Sequence, residues 1–335
     1  MKSVVVTGAG TTEVLNVERP IVGPADALLA VKACGICGSD SFYMHIGGVP
    51  PRQGNTPLGH EIAGEIVEVG PEVTGLAVGD HVVVNPMASP TGIIGNGGAR
   101  GGLAEFLLIE QAVVGESVAI IPDHVPWHVA ALNEPMAVAR HAVNRANPVA
   151  GEKAVVFGAG PIGLGALIDL TLRGIDTVVI DVQPTRLAKA LAIGASAAID
   201  SSKEDVAARL IELHGDSPLR PGESRPSTDI YIDAAGVPAV ITSVQRFAKH
   251  GARLSIPAVH KSPVEVDFGA LLSTELTITL SRGYPTEIFE VTYDIVAAWD
   301  RYAQIVSDMV PFTEVQEALT LAGTPGAADK VVVTF

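Results

Sequence analysis

A chain of 335 residues that is 47% hydrophobic and 18% charged is long enough for two domains with cores of their own and too apolar to remain disordered. Its formal net charge of −15, with no run of Lys or Arg, repels phosphate backbones and anionic lipid heads, so neither nucleic acid nor a membrane surface is an expected partner. The most apolar stretch, residues 154–172, is interrupted by glycines, Pro161 and Asp169, which suits a buried strand and helix better than a membrane span. The N-terminal apolar run is too short for a signal peptide, and two cysteines make no disulfide framework. A cytoplasmic protein is the expectation.

Residues 4–10 read VVVTGAG and imitate the opening of a dinucleotide fold. The imitation fails: Glu13 stands where a third glycine belongs, and an alternating strand and Pro20 follow instead of a helix. From 27 to 84 short strands alternate with turns, ALLAVKAC, HEIAGEIVEVG and GDHVVVNP, punctuated by Pro57, Gly70-Pro71 and Gly79-Asp80. Residues 87–102 are glycine-rich and aperiodic, which predicts a loop, and strand-like residues resume at 103–109. Near Trp127 the period changes from two to helical, and 127–145 reads as a helix pair or a bent helix interrupted at Pro135.

After Gly151 strands and helices alternate, with helices predicted at 184–193, 206–214 and 239–250 and strands at 195–199, 230–234 and 252–256. That alternation implies a doubly wound parallel sheet. Residues 215–228 read as an exposed polar loop, 275–281 as an edge strand, and the tail from 286 as helical up to a last strand, KVVVTF.

The opening of this second half carries chemistry. An apolar strand at 154–157 leads into Gly158-Ala159-Gly160-Pro161-Ile162-Gly163, then a helix-length apolar segment, then a second apolar run ending in Asp181. A G-x-G-x-x-G is informative in that context: the first glycine permits the tight turn, the second lets a pyrophosphate approach the backbone, and the third lets helix and strand pack closely. The helix N-terminus offers N–H groups and a partial positive charge to phosphate. A carboxylate at Asp181 can accept both ribose hydroxyls of NAD but would repel the extra phosphate of NADP, so NAD is the expected cofactor. Arg186, the first cation beyond it, could lie along the adenosine.

The β-rich half holds Cys34-Gly-Ile-Cys37-Gly-Ser-Asp40, Gly59-His60-Glu61 and Asn133-Glu134-Pro135. Cys37, His60 and Glu134 are thiolate, imidazole and carboxylate ligands of the kind that suit zinc with one position open. Spacing alone does not prove that they converge. A Cys34-x-x-Cys37 redox pair is the competing reading, disfavoured because no helix start is evident after it, and Cys34 reads instead as a small buried residue closing a strand. A lone His60 would ordinarily be structural and Glu61 a solvated acid.

Taken in order, G-I-C-G-S-D, G-H-E-x-x-G-x-I-V-E-V-G, E-P-x-A-V and G-A-G-P-I-G resemble the zinc-dependent medium-chain alcohol dehydrogenase family, particularly its sorbitol, idonate and butanediol dehydrogenase branch. The resemblance covers nearly the whole chain. It implies an α/β fold with a GroES-like β-rich catalytic domain, residues 1–148 and 285–335, around an inserted Rossmann domain, residues 149–284, and an active site in the cleft between them. It implies interconversion of a secondary alcohol or polyol and its ketone, on a small-molecule substrate, in a homodimer or homotetramer assembled through the edge strand at 275–281. Sugar or amino-alcohol oxidation of the threonine type is the alternative within the family. A zinc-free quinone or enoyl reductase, or a non-enzymatic NAD-binding protein, is the alternative outside it.

Residue by residue, the resemblance makes Cys37, His60 and Glu134 the ligands of one catalytic zinc, with Glu61 an alternate that approaches when substrate leaves. Asp40 would orient the histidine, Ser39 would take the proton from the alcohol, and Lys330 would meet the cofactor pyrophosphate. Two departures stand out. Residues 87–102 contain none of the four cysteines of the family's structural-zinc lobe, so no structural zinc is expected. Phe42 stands where a relay histidine is usual. The relay then ends in water or uses His45, or Phe42 with Tyr43 and Met44 forms a more apolar pocket wall.

Overall fold

The computed structural model describes residues 1–49 and 55–335. In chain order the elements begin with a hairpin of β1 (Lys2–Gly8) and β2 (Thr11–Asn16), then β3 (Ala27–Gly35), helix α1 (Gly38–Ile46), β4 (Thr56–Pro57), β5 (Glu61–Val69), β6 (His81–Val84), β7 (Phe106–Ile109) and β8 (Val118–Ile120). Helices α2 (Trp127–Ala130) and α3 (Asn133–Ala146) follow. Next come β9 (Lys153–Phe157), α4 (Pro161–Leu172), β10 (Asp176–Asp181), α5 (Pro184–Ile193), β11 (Ala197–Asp200), α6 (Val206–His214), β12 (Ile230–Asp233), α7 (Pro238–Phe247), β13 (Arg253–Ile256), α8 (Phe268–Leu272) and β14 (Thr277–Leu280). The chain closes with α9 (Glu290–Ala297), α10 (Trp299–Ala303), β15 (Asp308–Pro311), α11 (Val315–Gly323) and β16 (Val331–Thr334).

These elements divide into two units, Met1–Glu134 with Ile288–Phe335, and Pro135–Glu287. The first division falls inside α3, near its start, whereas the sequence reading put the junction at residue 148.

In the first unit the order β15-β16-β3-β5-β6-β8 forms a sheet to which β7 adds by pairing with β3, and β2-β1-β4 forms a smaller one. Leu29, Val31, Ile62, Ile66, Val82 and Leu107 from these strands share one core. Each such side chain withdrawn from water contributes roughly 1.5–3 kcal/mol. Register decides which residues of this sheet meet: β3 runs antiparallel to β5 with Gly35 opposite Glu61, and to β16 with Val332 opposite Gly35. The end of β3, the start of β5 and the start of β16 are thereby brought side by side.

The second unit is a six-stranded sheet in the order β11-β10-β9-β12-β13-β14 with every neighbouring pair parallel. The order reverses on either side of β9, the doubly wound arrangement in which ligands bind beyond the strands' C-terminal ends. Val155, Phe157, Val178, Ile180, Tyr231 and Leu254 build its core. Helices α5, α6 and α7 and strands β11 to β13 fall where alternation predicted them, and β14 is the sheet's edge.

Three local readings need correction. The helical segment after Trp127 breaks before Asn133, and Pro135 sits in the first turn of α3, where a missing N–H has no helical partner to lose. Strand β15 lies in a stretch read as helical; it has four residues, ends in Pro311 and alternates burial only weakly, so its period was too short to read. Helix α1 was missed altogether, because its only fully buried residue is the charged Asp40 and it has no apolar stripe.

Within the second unit, buried Glu287 accepts from Asn144 Nδ2 at 3.1 Å and from the Thr286 N–H at 3.0 Å, and pairs with His141 Nδ1 at 2.9 Å. Burial pushes its carboxyl up, but the hydrogen bond from His141, those from Asn144 and Thr286, and the His141 charge outweigh it and hold the group near about 2 instead of 4.5. A depressed carboxyl stabilises the fold above its unfolded value and loses that contribution as pH falls through the folded one. Glu287→Gln therefore lowers stability by on the order of 2 kcal/mol at pH 7. In urea melts of both proteins the gap closes between pH 4.5 and about 2; a gap constant with pH would show that the charge does not matter.

Candidate metal centre and dinucleotide turn

Cys37 is the N-cap of α1, in extended backbone, and Asp40 in the first turn closes a capping box by accepting the Cys37 N–H at 2.9 Å. The other Asp40 oxygen accepts the Gly59 N–H at 3.2 Å and stands 3.8 Å from His60 Nδ1. One buried carboxylate thus joins the start of α1 to the turn before β5. Gly59 is at φ +88°, and a Cβ there would meet the Leu103 nitrogen at 2.6 Å and Cys34 Sγ at 2.8 Å. His60 and Glu61 follow directly. The room for Glu61 comes from across the sheet, where a side chain on Gly35 would strike its carboxylate at 1.9 Å.

The result is one gathering of metal-ligating side chains among the described residues: donor atoms of Cys37, His60 and Glu61 all lie within 4.8 Å of one another. Glu61, read from sequence as the alternate ligand, occupies the position beside Cys37 and His60. Glu134, at the start of α3, is buried and its charge reaches both His60 and Lys330, but it is outside that gathering.

Lys330 is also turned to this place. Its ammonium donates to the Ile36 carbonyl at 3.0 Å and pairs with Glu61, fully inside the first unit. The pairing was missed because it depends on the β16–β3–β5 register and not on any local pattern.

The electrostatics are lopsided. Asp40, Glu61 and Glu134 are buried together with a thiol and a single ammonium. Burial pushes the Asp40 carboxyl above its usual range against the pull of His60 and its two N–H donors. Burial lowers His60, but the Asp40 charge, the hydrogen bond and charge of Cys37, and Glu134 outweigh it and hold the imidazole well above its ordinary value. Lys330 is likewise raised, burial being overcome chiefly by Glu61. An excess of buried negative charge is costly unless a cation joins it. Among the described residues, His60 Nδ1 has no hydrogen-bond partner. Thiolate, imidazole and carboxylate donors converging on one point fit zinc.

The C-x-x-C redox reading fails for a different reason from the one the sequence offered. A helix does start after Cys37. Cys34, however, is wholly buried in β3 with its thiol directed to the Gly35 carbonyl, and burial pushes that thiol well above the usual range, where a nucleophilic thiolate does not form.

Around the metal-facing residues, Ser39 is partly exposed on α1, Phe42 and His45 are exposed, and Tyr43 is half-buried with its phenol donating to Asn96 Oδ1.

In the second unit the glycine turn has the form its sequence implies. Gly158 lies at φ +91°; a Cβ on Gly163 would meet the Gly158 carbonyl at 1.8 Å, so strand and helix touch there; apart from its chain neighbours, no atom of the described residues lies within 4 Å of where a Cβ on Gly160 would be. Gly160 caps α4 and Pro161 is its first residue, with Ile162 next. Asp181 ends β10 with Oδ2 accepting the Ala159 N–H at 2.7 Å and Oδ1 accepting those of Val182 and Gln183 at 2.7 and 2.9 Å. The carboxylate is therefore fixed against the glycine turn. Arg186, in the first turn of α5, is partly buried. Sequence reasoning missed buried Asp233 at the end of β12, which accepts the N–H groups of Ala235 and Gly236 and pairs with His260 Nε2 at 2.8 Å. Its signal was its place, a lone acid at the end of a parallel strand.

A parallel sheet with a glycine turn at its switch point, and a β-rich unit in which a thiol, a buried imidazole and a buried acid converge, are the parts expected of a metal-using NAD(P) oxidoreductase. Comparison with known proteins makes this specific. Residues 23–122 match the alcohol dehydrogenase GroES-like domain and residues 161–304 the zinc-binding dehydrogenase domain. The (R,R)-butanediol dehydrogenase of Bacillus subtilis is 31% identical over 293 residues, 80% of each chain. Sorbitol dehydrogenase of Rattus norvegicus is 31% identical over 299 residues, 79% of each. The crystal structure of the 2R,3R-butanediol dehydrogenase from Bacillus subtilis superposes with a TM-score of 0.87 at 26% identity, over 100% of this chain and 99% of that one. The chain belongs to the zinc-dependent medium-chain alcohol dehydrogenase family. It is an oxidoreductase acting on CH–OH groups, with a GroES-like domain and a Rossmann-like parallel sheet.

Cys37→Ser and His60→Ala are expected to lose zinc on dialysis that the unaltered protein retains, with far-ultraviolet circular dichroism unchanged. Metal analysis by mass spectrometry reads this directly, and full retention in both variants would remove these residues from the site.

Proposed function

We propose that the protein is an NAD-dependent dehydrogenase of a small secondary alcohol or diol, holding one zinc per chain and no structural zinc. The convergence of Cys37, His60 and Glu61 beside a single buried ammonium carries the reading. Cys37, His60 and a carboxylate would hold the zinc, the carboxylate being Glu134 at the buried start of α3 or Glu61, which stands beside Cys37 and His60. Bound there, zinc supplies Lewis acidity that makes an alcohol a stronger acid near neutral pH. Asp40 keeps the His60 ring in place through its contacts with the turn and the helix start. Ser39 would receive the alcohol's proton as it gives up its own, and a bound nicotinamide would supply the hydride acceptor.

Gly158, Gly160, Pro161, Ile162 and Gly163 would hold the dinucleotide, the N-terminus of α4 offering N–H groups to its phosphates, Asp181 accepting its ribose hydroxyls and Arg186 lying along its adenosine. The fixed Asp181 carboxylate supports NAD over NADP. Absence of cysteine from residues 87–102 supports a single zinc, because both cysteines of the chain lie at 34 and 37. Exposed Ile278 and Leu280 on the edge strand β14 support a homo-oligomer formed through that edge. Two free thiols support a cytoplasmic setting; among the described residues, no helix is long and apolar enough to cross a membrane.

Exposed Phe42 favours the less polar end of the substrate range, ahead of sugars and amino alcohols. Initial rates of NAD reduction with 2,3-butanediol, sorbitol, threonine and cyclohexanol, repeated after chelation and zinc restoration, test the reading. Activity on the diol or cyclohexanol that chelation removes and zinc restores is expected; activity indifferent to chelation would overturn it. Asp181→Ala is expected to narrow the preference for NAD over NADP by on the order of tenfold or more, measured as the ratio of kcat/KM values. An unchanged ratio would place the ribose elsewhere.

A further inference from the structure

Residues 87–102 contain no cysteine, and side chains close the loop instead. Glu110 directly follows β7, which pairs with β3, so its carboxylate stands on the sheet. Its Oε2 meets Arg100 Nη1 at 2.7 Å and accepts from Thr91 Oγ1 at 2.6 Å and from Ser89 Oγ at 3.2 Å. Arg100 Nη1 also reaches Thr91 Oγ1 at 3.4 Å. The Arg100 and Glu110 side chains are 29% and 17% exposed, so solvent screens this pair less than one on the open surface.

The inner side of the same loop lies on the backbone that carries His60. The Arg100 carbonyl accepts the Gly95 N–H at 2.7 Å. Gly95, at φ +66°, is packed so closely that a Cβ on it would meet the Gly59 carbonyl oxygen at 2.0 Å and the His60 nitrogen at 2.9 Å. Two residues beyond Arg100, the Gly102 N–H donates to that same Gly59 carbonyl at 2.7 Å. Asn96, next to Gly95, accepts the phenol of Tyr43 from α1, the helix that Cys37 caps. Arg100 thus sits where the loop's anchor on the sheet and its contacts with both ligand-bearing segments meet.

We propose that Arg100 and Glu110 are positioning residues of the metal centre, setting how tightly it holds zinc. The inference rests on the reading that Cys37 and His60 hold that zinc. Neither side chain belongs to the gathered donors. The pair acts through the backbone: it seats Gly95 and Gly102 against Gly59, from which His60 follows, and Asn96 against α1. Without it the loop keeps its backbone hydrogen bonds but loses its tie to the sheet. The turn before β5 then gains freedom that metal binding must remove.

The test reads metal binding and not turnover. Metal-free protein is titrated with zinc against a chromogenic chelator, and separately with cobalt(II), whose visible absorption reports ligand geometry. Arg100→Ala and Glu110→Gln are each expected to raise the zinc dissociation constant on the order of tenfold and to alter the cobalt spectrum. Combined, they cost little more than either alone. Arg100→Lys is expected to recover most of the affinity, since a single Nη1 makes the contact. Lys32→Ala, which breaks the Lys32–Glu65 ion pair elsewhere in the same unit, is expected to change neither readout. A pair that serves only stability would lower the urea midpoint and leave zinc affinity and cobalt spectrum as they were, and that result overturns the positioning role alone. Should Arg100→Ala not fold, Glu110→Gln decides by the same criterion. An unaltered protein that takes up no zinc, or takes it up equally well after Cys37→Ser, overturns the parent reading and this inference with it.

Discussion

The arrangement of the first unit depends on one electrostatic constraint, the burial of three carboxylates and a thiol beside a single ammonium. Such a cluster is tolerable only if each group is hydrogen-bonded or neutralised. Asp40 meets the condition by accepting two backbone N–H groups, which ties the start of α1 to the turn before β5. Glu61 meets it through Lys330, which ties β5 to the approach to β16. The residual negative charge is what a divalent cation satisfies, and the same contacts that limit its cost hold the donors in place.

That arrangement links distant parts of the sequence through strand register. Gly35 opposite Glu61, and Val332 opposite Gly35, bring residues far apart in the chain to one spot. The second unit works on a more local scale: strand, turn, helix and the acid at the end of the next strand lie within one βαβ unit, and backbone hydrogen bonds fix Asp181 without help from elsewhere.

This difference in range accounts for what was legible in the sequence. Gly158, Gly160, Gly163 and Asp181 could be read because turn chemistry and helix capping are set by neighbours in the chain. The parallel sheet could be read from alternation, and β14 from its period of two. Cys37 and His60 stood out only by family likeness, since nothing local says that residues 37 and 60 meet. The pairing of Lys330 with Glu61 and the hydrogen bond from Tyr43 to Asn96 depend on tertiary placement and left no local trace. Helix α1 escaped for another reason: it buries a capping aspartate where amphipathic helices bury leucines, so hydrophobic periodicity was blind to it.

The placement of the two cysteines has a consequence for covalent labelling. Cys34 is sealed in β3 with its thiol held protonated, and Cys37 at the mouth of α1 is partly accessible. A soft electrophile such as iodoacetamide therefore has one kinetically competent target in the folded chain, and a bound metal would occupy that sulfur. On the proposed reading that Cys37 holds the metal, alkylation stoichiometry under native conditions counts vacant centres without a chromophore or a substrate.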